Sequence, residues 1–408
     1  MKITRMSGLL TLVAVGALTL SACGSSDNNA ASTTSAAATS AATSGASAAV
    51  SSAKSGASAA GSSAAAGGSG AASAEAPTFD GSGFVCTAGS LRSSGSTAQG
   101  IVMEQWISDY NSMCSATLLP YGGGGSGKGV ADFLANQVDF AGSDSALSAD
   151  QLATAKSTRC GGNDALNLPM VTGPLAVAYN VPGVTDLTLT PSVTAQIFNG
   201  KITTWNDPAI AALNPGVSLP ALAIQSVHRS DDSGTTDNFV KWLTAAAPAD
   251  WTFDTGKTWL APGGVAGQGN DGVGKEVQAT TGAVGYVEWG FALDQNLSIA
   301  KIDNGAGAVE LTGEAASKTV EAAQVVGTGK DLTIKIDYAT KAPGAYPIVL
   351  VTYELVCSAG NKDLGALLQS FLGYTATDGQ ATLSSLGAAP LPAALQTKVI
   401  ASVKTISS

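Results

Sequence analysis

Ile224-Gln225-Ser226-Val227, followed by Arg229-Ser230-Asp231-Asp232-Ser233-Gly234-Thr235-Thr236, is the stretch on which the fold turns. A short run with strand character enters a turn of small and hydroxylated residues, and the pattern beyond it is that of an amphipathic helix. The same cassette occurs twice more. Ser94-Gly95-Ser96-Thr97-Ala98 precedes Val102, Trp106 and Tyr110 at four-residue spacing, and Gly125-Ser126-Gly127-Lys128-Gly129 precedes Val130, Phe133 and Leu134. Phe84-Val85-Cys86 and Ala116-Thr117-Leu118-Leu119 read as further strands, as does Leu175-Ala176-Val177-Ala178-Tyr179, while Val193 to Phe198 reads as a short helix. Near the C-terminus Ile348 to Val356 is a long β-branched strand, with a helical pattern around Leu364, Leu367, Leu368, Phe371 and Leu372. Strands alternating with helices predict an α/β fold.

Each turn carries its own chemistry. The first four N–H groups of a helix have no partner within it, and the helix dipole is positive at that end, so a Ser- or Thr-bearing turn there binds anions. A single such turn is most simply an N-cap. Three of them, joined by Arg229 and Asp144, point to one oxyanion site. Arg229 would supply a charge-assisted fork and Asp231 would hold it in place. Asp144 accepts a proton, so it suits HPO₄²⁻ or H₂PO₄⁻; sulfate has none to offer and would leave two buried acceptors facing each other.

The first residues place this site outside the cytoplasm. Lys2 and Arg5 precede an apolar run from Gly8 to Leu20, and Leu20-Ser21-Ala22-Cys23 then has the form of a lipobox. The run is too short to cross a bilayer of roughly 30 Å, so residues 1–22 read as a lipoprotein signal and Cys23 as the acylated anchor. Residues 24–77 are almost entirely Ser, Ala, Gly and Thr without an aromatic side chain. Such a segment buries no core, and as a coil it reaches roughly 40 Å. The chain from Phe79 to Ser408 is longer than the roughly 250–300 residues at which single cores stop growing, which predicts two lobes. Proline clusters at Pro169 to Pro174 and Pro343 to Pro347 interrupt the pattern and are the expected hinge crossings.

Other function classes fit poorly. With 20 Lys and Arg against 30 Asp and Glu the chain is acidic, which argues against nucleic acid and requires an anion site to work through local hydrogen bonds. Gly122 to Lys128 has Walker-like spacing, but Gly129 stands where a nucleotide loop needs Ser or Thr. Gly122, Gly124 and Gly127 match a dinucleotide fingerprint only in isolation. His228 is the one histidine, there is no Gly-x-Ser-x-Gly elbow, and no cluster of metal ligands stands out. Cys86, Cys114, Cys160 and Cys357 imply two disulfides in an exported protein.

A longer series then becomes specific: Ser94 to Thr97, Tyr121 to Gly129, Val138 to Asp144, Ile197 to Asn206, Leu213 to Gly216, His228 to Thr236, Gly269 to Val273 and Gly282 to Glu288. In that order it resembles the phosphate-binding protein of the high-affinity phosphate ABC transporter, in an actinobacterial form, from about Cys86 onward. The resemblance implies a two-lobed type II periplasmic-binding-protein fold, each lobe a mixed sheet flanked by helices, with lobe I at 78–171 and 346–408 and lobe II at 172–345. It implies phosphate contacts from Thr97, Ala98 through its N–H, Ser126, Asp144, Arg229, Ser233, Gly234 and Thr235, with Asp231 as the partner of Arg229. It also implies a monomer without cofactor or catalysis, delivering inorganic phosphate to the membrane permease. Two positions depart from the family: Ala98 is smaller than the usual residue, and Asp232 replaces a common Gly and is expected to face solvent. The alternatives are a binder of another tetrahedral oxyanion, such as sulfate or molybdate, and an exported phosphatase or esterase. The expected disulfides are Cys86 with Cys357, on the ground of neighbouring strands, and Cys114 with Cys160.

Overall fold

The computed structural model describes residues 78–116, 118 and 120–408. The signal, Cys23 and the linker to residue 77 lie outside the described residues, as do Thr117 and Leu119. The elements that position the site are β1 (Ser93–Gly95), α1 (Gly100–Cys114), α2 (Ser126–Leu134), β2 (Phe140–Ser143), β3 (Ala165–Tyr179), α3 (Pro191–Phe198), β4 (Gln225–Arg229) and α4 (Gly234–Ala246). They continue with β5 (Val265–Gly267), α5 (Gly269–Ala279), β6 (Ala283–Glu288), α6 (Trp289–Asp294), α7 (Gly313–Glu321), β7 (Val349–Cys357) and α8 (Gly365–Ala376). Phe84–Val85 forms a further short strand, so of the runs read as strands or helices one fails to appear: at Ala116 to Leu119, Ala116 and Leu118 belong to no strand.

The main sheet runs β1-β2-β7-β3-β6-β4-β5. Its outer pairs are parallel, β1 with β2 at one end and β6, β4 and β5 at the other; the centre is antiparallel. Both long central strands are buried along their whole length, which explains why β3 and β7 read as near-continuous apolar runs. β3 has 15 residues and serves three partners, the third being the short strand Ser298–Ile299 opposite Ala178 and Tyr179. Ala165 to Pro174 pair with β7, and Leu175 to Tyr179 pair with β6.

The prolines therefore do not interrupt β3 as their clustering suggested. Pro169 lies opposite Tyr353, where the register of β7 shifts between Thr352 and Tyr353, and Pro174 lies opposite Val349, where β7 begins. A residue without an N–H is tolerated at a ladder irregularity or at a strand end, and those are the two places the prolines occupy.

Apolar side chains gather in two clusters. The first includes Trp106, Tyr110, Phe133, Phe140, Leu355 and Phe371, and the second Phe198, Trp205, Phe239, Trp242, Trp251 and Tyr286. The segment around α7 serves both: Ala315 joins the second cluster, and Ala316 and Val320 join the first. Two cores under one sheet form the two lobes of an α/β binding-protein fold.

The disulfides are Cys86–Cys114 and Cys160–Cys357, with Cα–Cα distances of 5.1 and 5.4 Å. The expected pairing is corrected by topology. Cys357 ends β7 opposite Ala165, the first residue of β3, so the cysteine within reach is Cys160 just upstream. Cys86 follows the short strand Phe84–Val85 and meets Cys114 at the last residue of α1.

Candidate functional site

Three helix N-termini converge where the two lobes meet. β1 ends at Gly95, whose φ of 137° belongs to glycine territory; a Cβ there would overlap the Gly142 carbonyl. The turn Ser96-Thr97-Ala98-Gln99 leads into α1, and Gly125 N–H donates to Gly95 O at 3.0 Å, drawing the start of α2 beside it. From the opposite lobe, β4 delivers Arg229 as its last residue, and Ser233 caps α4 by accepting from Thr236 N–H at 3.1 Å. Gly127 N–H donates across the gap to Asp232 O at 2.9 Å. At Gly234 any Cβ would overlap Ser126 Oγ and the Asp144 side chain, so only glycine lets α4 approach this closely.

Asp144 directly follows β2 and is 3% exposed. Its Oδ2 accepts from Ser126 Oγ at 3.1 Å and its Oδ1 from Thr352 Oγ1 at 2.7 Å, while Asn238 Nδ2 donates to its carbonyl at 2.7 Å. Burial pushes the carboxyl above its ordinary value, against the pull of the Ser96, Thr352 and Ser126 hydroxyls and the charge of Arg229. Arg229 is 2% exposed. It forks onto Asp231 through Nε to Oδ1 at 2.8 Å and Nη2 to Oδ2 at 2.5 Å, and Nη1 reaches Thr235 Oγ1 at 3.1 Å. Burial alone would raise Asp231; the Arg229 bonds and charge, helped by Gly269 N–H, outweigh it and hold that carboxyl below its ordinary value.

Thr97 closes the ring. Its Oγ1 accepts from Asn270 Nδ2 at 3.1 Å, and the same amide reaches Thr235 Oγ1 at 3.3 Å, so one side chain spans the lobes. Ala98 is buried within the second lobe's core cluster although it is carried by the first lobe, and its N–H lies 3.0 Å from Ser96 Oγ. All nine residues singled out from the three turns and from Asp144 thus lie in one neighbourhood. Asp232 is exposed, and its carboxylate accepts from Thr258 Oγ1 at 2.8 Å. Among the described residues no group of three or more His, Cys, Asp or Glu is placed to hold a metal ion.

Sequence reasoning missed Thr352, Asn238 and the bridging role of Asn270. Thr352 left a signal that was not used: in Val349 to Val356, otherwise almost wholly apolar, Thr352 and Glu354 are polar residues two apart and therefore on one face. Asn238 carried none, since a polar residue in the first turns of a helix is ordinary.

Residues 72–378 match the model of a PBP superfamily domain. The phosphate-binding protein PstS 3 of Mycobacterium leprae is 41% identical over 339 residues, covering 81% of this chain and 91% of that protein. The phosphate-binding protein PstS 3 of Mycobacterium tuberculosis is 38% identical over 414 residues and covers both chains in full. The fold is shared with a solved structure of a high-affinity periplasmic phosphate-binding protein, PfluDING, bound with phosphate, at a TM-score of 0.63 and 22% identity over 76% of this chain and 93% of that one. With a superfamily domain over most of its length and relatives of this identity and coverage, the chain belongs to the PstS family of phosphate-binding proteins.

Proposed function

We propose that this protein captures inorganic phosphate between its two lobes outside the cytoplasm and delivers it to the permease of an ABC importer. The observation that carries the reading is the pairing, within one buried site, of a donor-rich half with a single carboxylate. Arg229, Ser126, Thr97, Ser233 and Thr235, with the N–H groups of Ala98, Gly234 and Thr235, supply hydrogen bonds to oxyanion oxygens. Asp144, as the carboxylate, accepts a hydrogen bond from the phosphate hydroxyl; the Ser126 and Thr352 hydroxyls and the charge of Arg229 favour that form against the burial that opposes it. Affinity then comes from geometry inside a dry cleft, since the acidic chain as a whole repels anions.

Lobe I is assigned to 78–171 and 346–408, and lobe II to 172–345. Opening would bend β3 where it changes partners near Pro174, together with the return segment at Tyr346-Pro347. Cys23 is assigned as the lipid anchor, and the residues up to 77 as a tether that lets a monomer reach its permease.

Calorimetric titration of the protein, stripped of bound anion, with phosphate and sulfate in parallel tests the reading. Tight phosphate binding with no sulfate heat supports it. Sulfate binding of similar strength, or silence toward both anions, overturns it.

A further inference from the structure

Glu354 stands on β7 two residues beyond Thr352, on the same face of the sheet, and pairs with Gly142 of β2. Its relative exposure is 0%. Neither carboxyl oxygen has a hydrogen-bond partner, and neither does Oε1 of Gln99. Gln99 is the residue between Ala98 and α1, and its amide lies over Gly142, where a Cβ would overlap both it and the Tyr121 hydroxyl. The other end of that amide is engaged: Nε2 donates to Tyr121 Oη at 3.1 Å. Three buried acceptor oxygens are thus left without a partner, and the Tyr121 hydroxyl beside them has one hydrogen to give, too few for all three; folded proteins avoid such an arrangement because buried acceptors forfeit their hydration.

One proton resolves it. We infer that Glu354 is a positioning residue that enters the phosphate-loaded state as a neutral acid, donating to Gln99 Oε1 and thereby fixing the turn that presents Thr97 and the Ala98 N–H. The inference rests on the phosphate reading and deepens it. Burial pushes the Glu354 carboxyl up to about 8; the Gln99 amide opposes this and the charge of Asp144 adds to it. Tyr121, itself raised by burial, is the other titratable group that feels this carboxyl. Of the elements packed on β7, β2 carries no titratable side chain and β3 only Tyr179 at its far end. On α4, Asp237 pairs with Lys241, and on α7, Glu314 pairs with Lys318 beside Glu321, so none of these neutralises Glu354.

Losing that proton puts a negative charge on β7, the strand paired with the one that Asp144 follows, and frees the Gln99 turn. Phosphate affinity should therefore fall above about pH 8 by a route separate from the titration of phosphate itself. The test compares phosphate affinity from about pH 6 to pH 9.5 in the unsubstituted protein and in Glu354→Gln, whose amide can donate to Gln99 at every pH. Phosphate titrates identically in both, so the ratio of the two affinities isolates Glu354. It is expected to be near one at about pH 6 and to drop roughly tenfold by about pH 9.5. Carbon-13 NMR of glutamate-labelled protein supplies a second readout, a carboxyl that stays protonated at neutral pH, titrates near 8 and is absent from E354Q. Parallel affinity profiles, or no glutamate carboxyl that is protonated at neutral pH in the unsubstituted protein and lost on substitution of Glu354, would overturn the inference. Glu288 is also buried with its carboxyl pushed up, so the signal is assigned by its loss, with Glu354→Met as the second variant should E354Q not fold. A protein that binds no phosphate at any pH would sink the phosphate reading but leave the NMR outcome to be read on its own.

Discussion

The turn after β2 and the turn after β4 each bury an aspartate at the same site, and the two are treated in opposite ways. Asp231 faces a guanidinium that forks onto it and is held as a carboxylate. The Asp144 carboxyl faces hydroxyls, with Arg229 acting only through its charge, and burial pushes its proton affinity up. One residue type is thus assigned two roles by its neighbours: a fixed counter-charge that aims a donor, and an acceptor that can read a proton. The difference teaches that an anion site in an acidic protein needs its charges partitioned, not merely supplied.

The comparison breaks most severely at Arg229. Arg229→Ala removes the fork and leaves the Asp231 carboxylate without its counter-charge, held only by the Gly269 N–H, so phosphate affinity should fall by about 10³-fold or more, with folding stability lowered by about 3 kcal/mol. Calorimetric titration and chemical denaturation check the two effects; an unchanged affinity would show that the guanidinium does not meet the anion. Asp144→Asn sharpens the comparison. Phosphate affinity should fall roughly 10- to 100-fold while sulfate, which has no proton to offer, gains relative to it. A phosphate-to-sulfate ratio equal to that of the unsubstituted protein would end the proton-reading role.

The smallest expected effect is on stability. A lowered carboxyl such as Asp231 contributes stability that is present above its unfolded value near 3.8 and lost as pH falls through its folded value. Raised carboxyls such as Asp144 and Glu354 do the reverse. For Glu354, between about pH 4.5 and pH 8 the folded protein keeps a proton that the unfolded chain has released, so stability falls as pH rises through that window. Thermal melts of the phosphate-free protein should therefore peak on the acid side of neutrality, and E354Q should flatten the alkaline slope. A melting temperature that climbs from about pH 5 to pH 8 would contradict this assignment.

What the sequence disclosed and what it concealed separate along one physical line. Thr97, Ser126, Arg229, Ser233 and Gly234 were legible because the strand, turn and helix that expose them are contiguous, and the rule that helix starts attract anions acts within a few residues. Asp144 was legible from its place after a short strand together with the chemistry of its carboxylate. Thr352, by contrast, meets Asp144 across 208 positions, and Asn270 meets Thr97 across 173, distances over which no local pattern operates. The prolines of β3 misled for a related reason. Proline forbids a ladder bond at its own nitrogen, but whether a partner requires that bond depends on a strand that arrives near the end of the chain. The cysteines were paired wrongly because β7 had to be aligned on β3 before Cys160 could be seen as the neighbour of Cys357.

That bridge joins residues 197 positions apart and encloses the whole segment proposed as the second lobe, leaving its polypeptide a closed ring strung on the first. A protease that nicks a loop anywhere between the two cysteines would open the ring without releasing a fragment. The nicked molecule would migrate as one species until a reductant divided it. In the exposed environment proposed for this protein, such a lobe can be damaged once and still remain attached to its anchor.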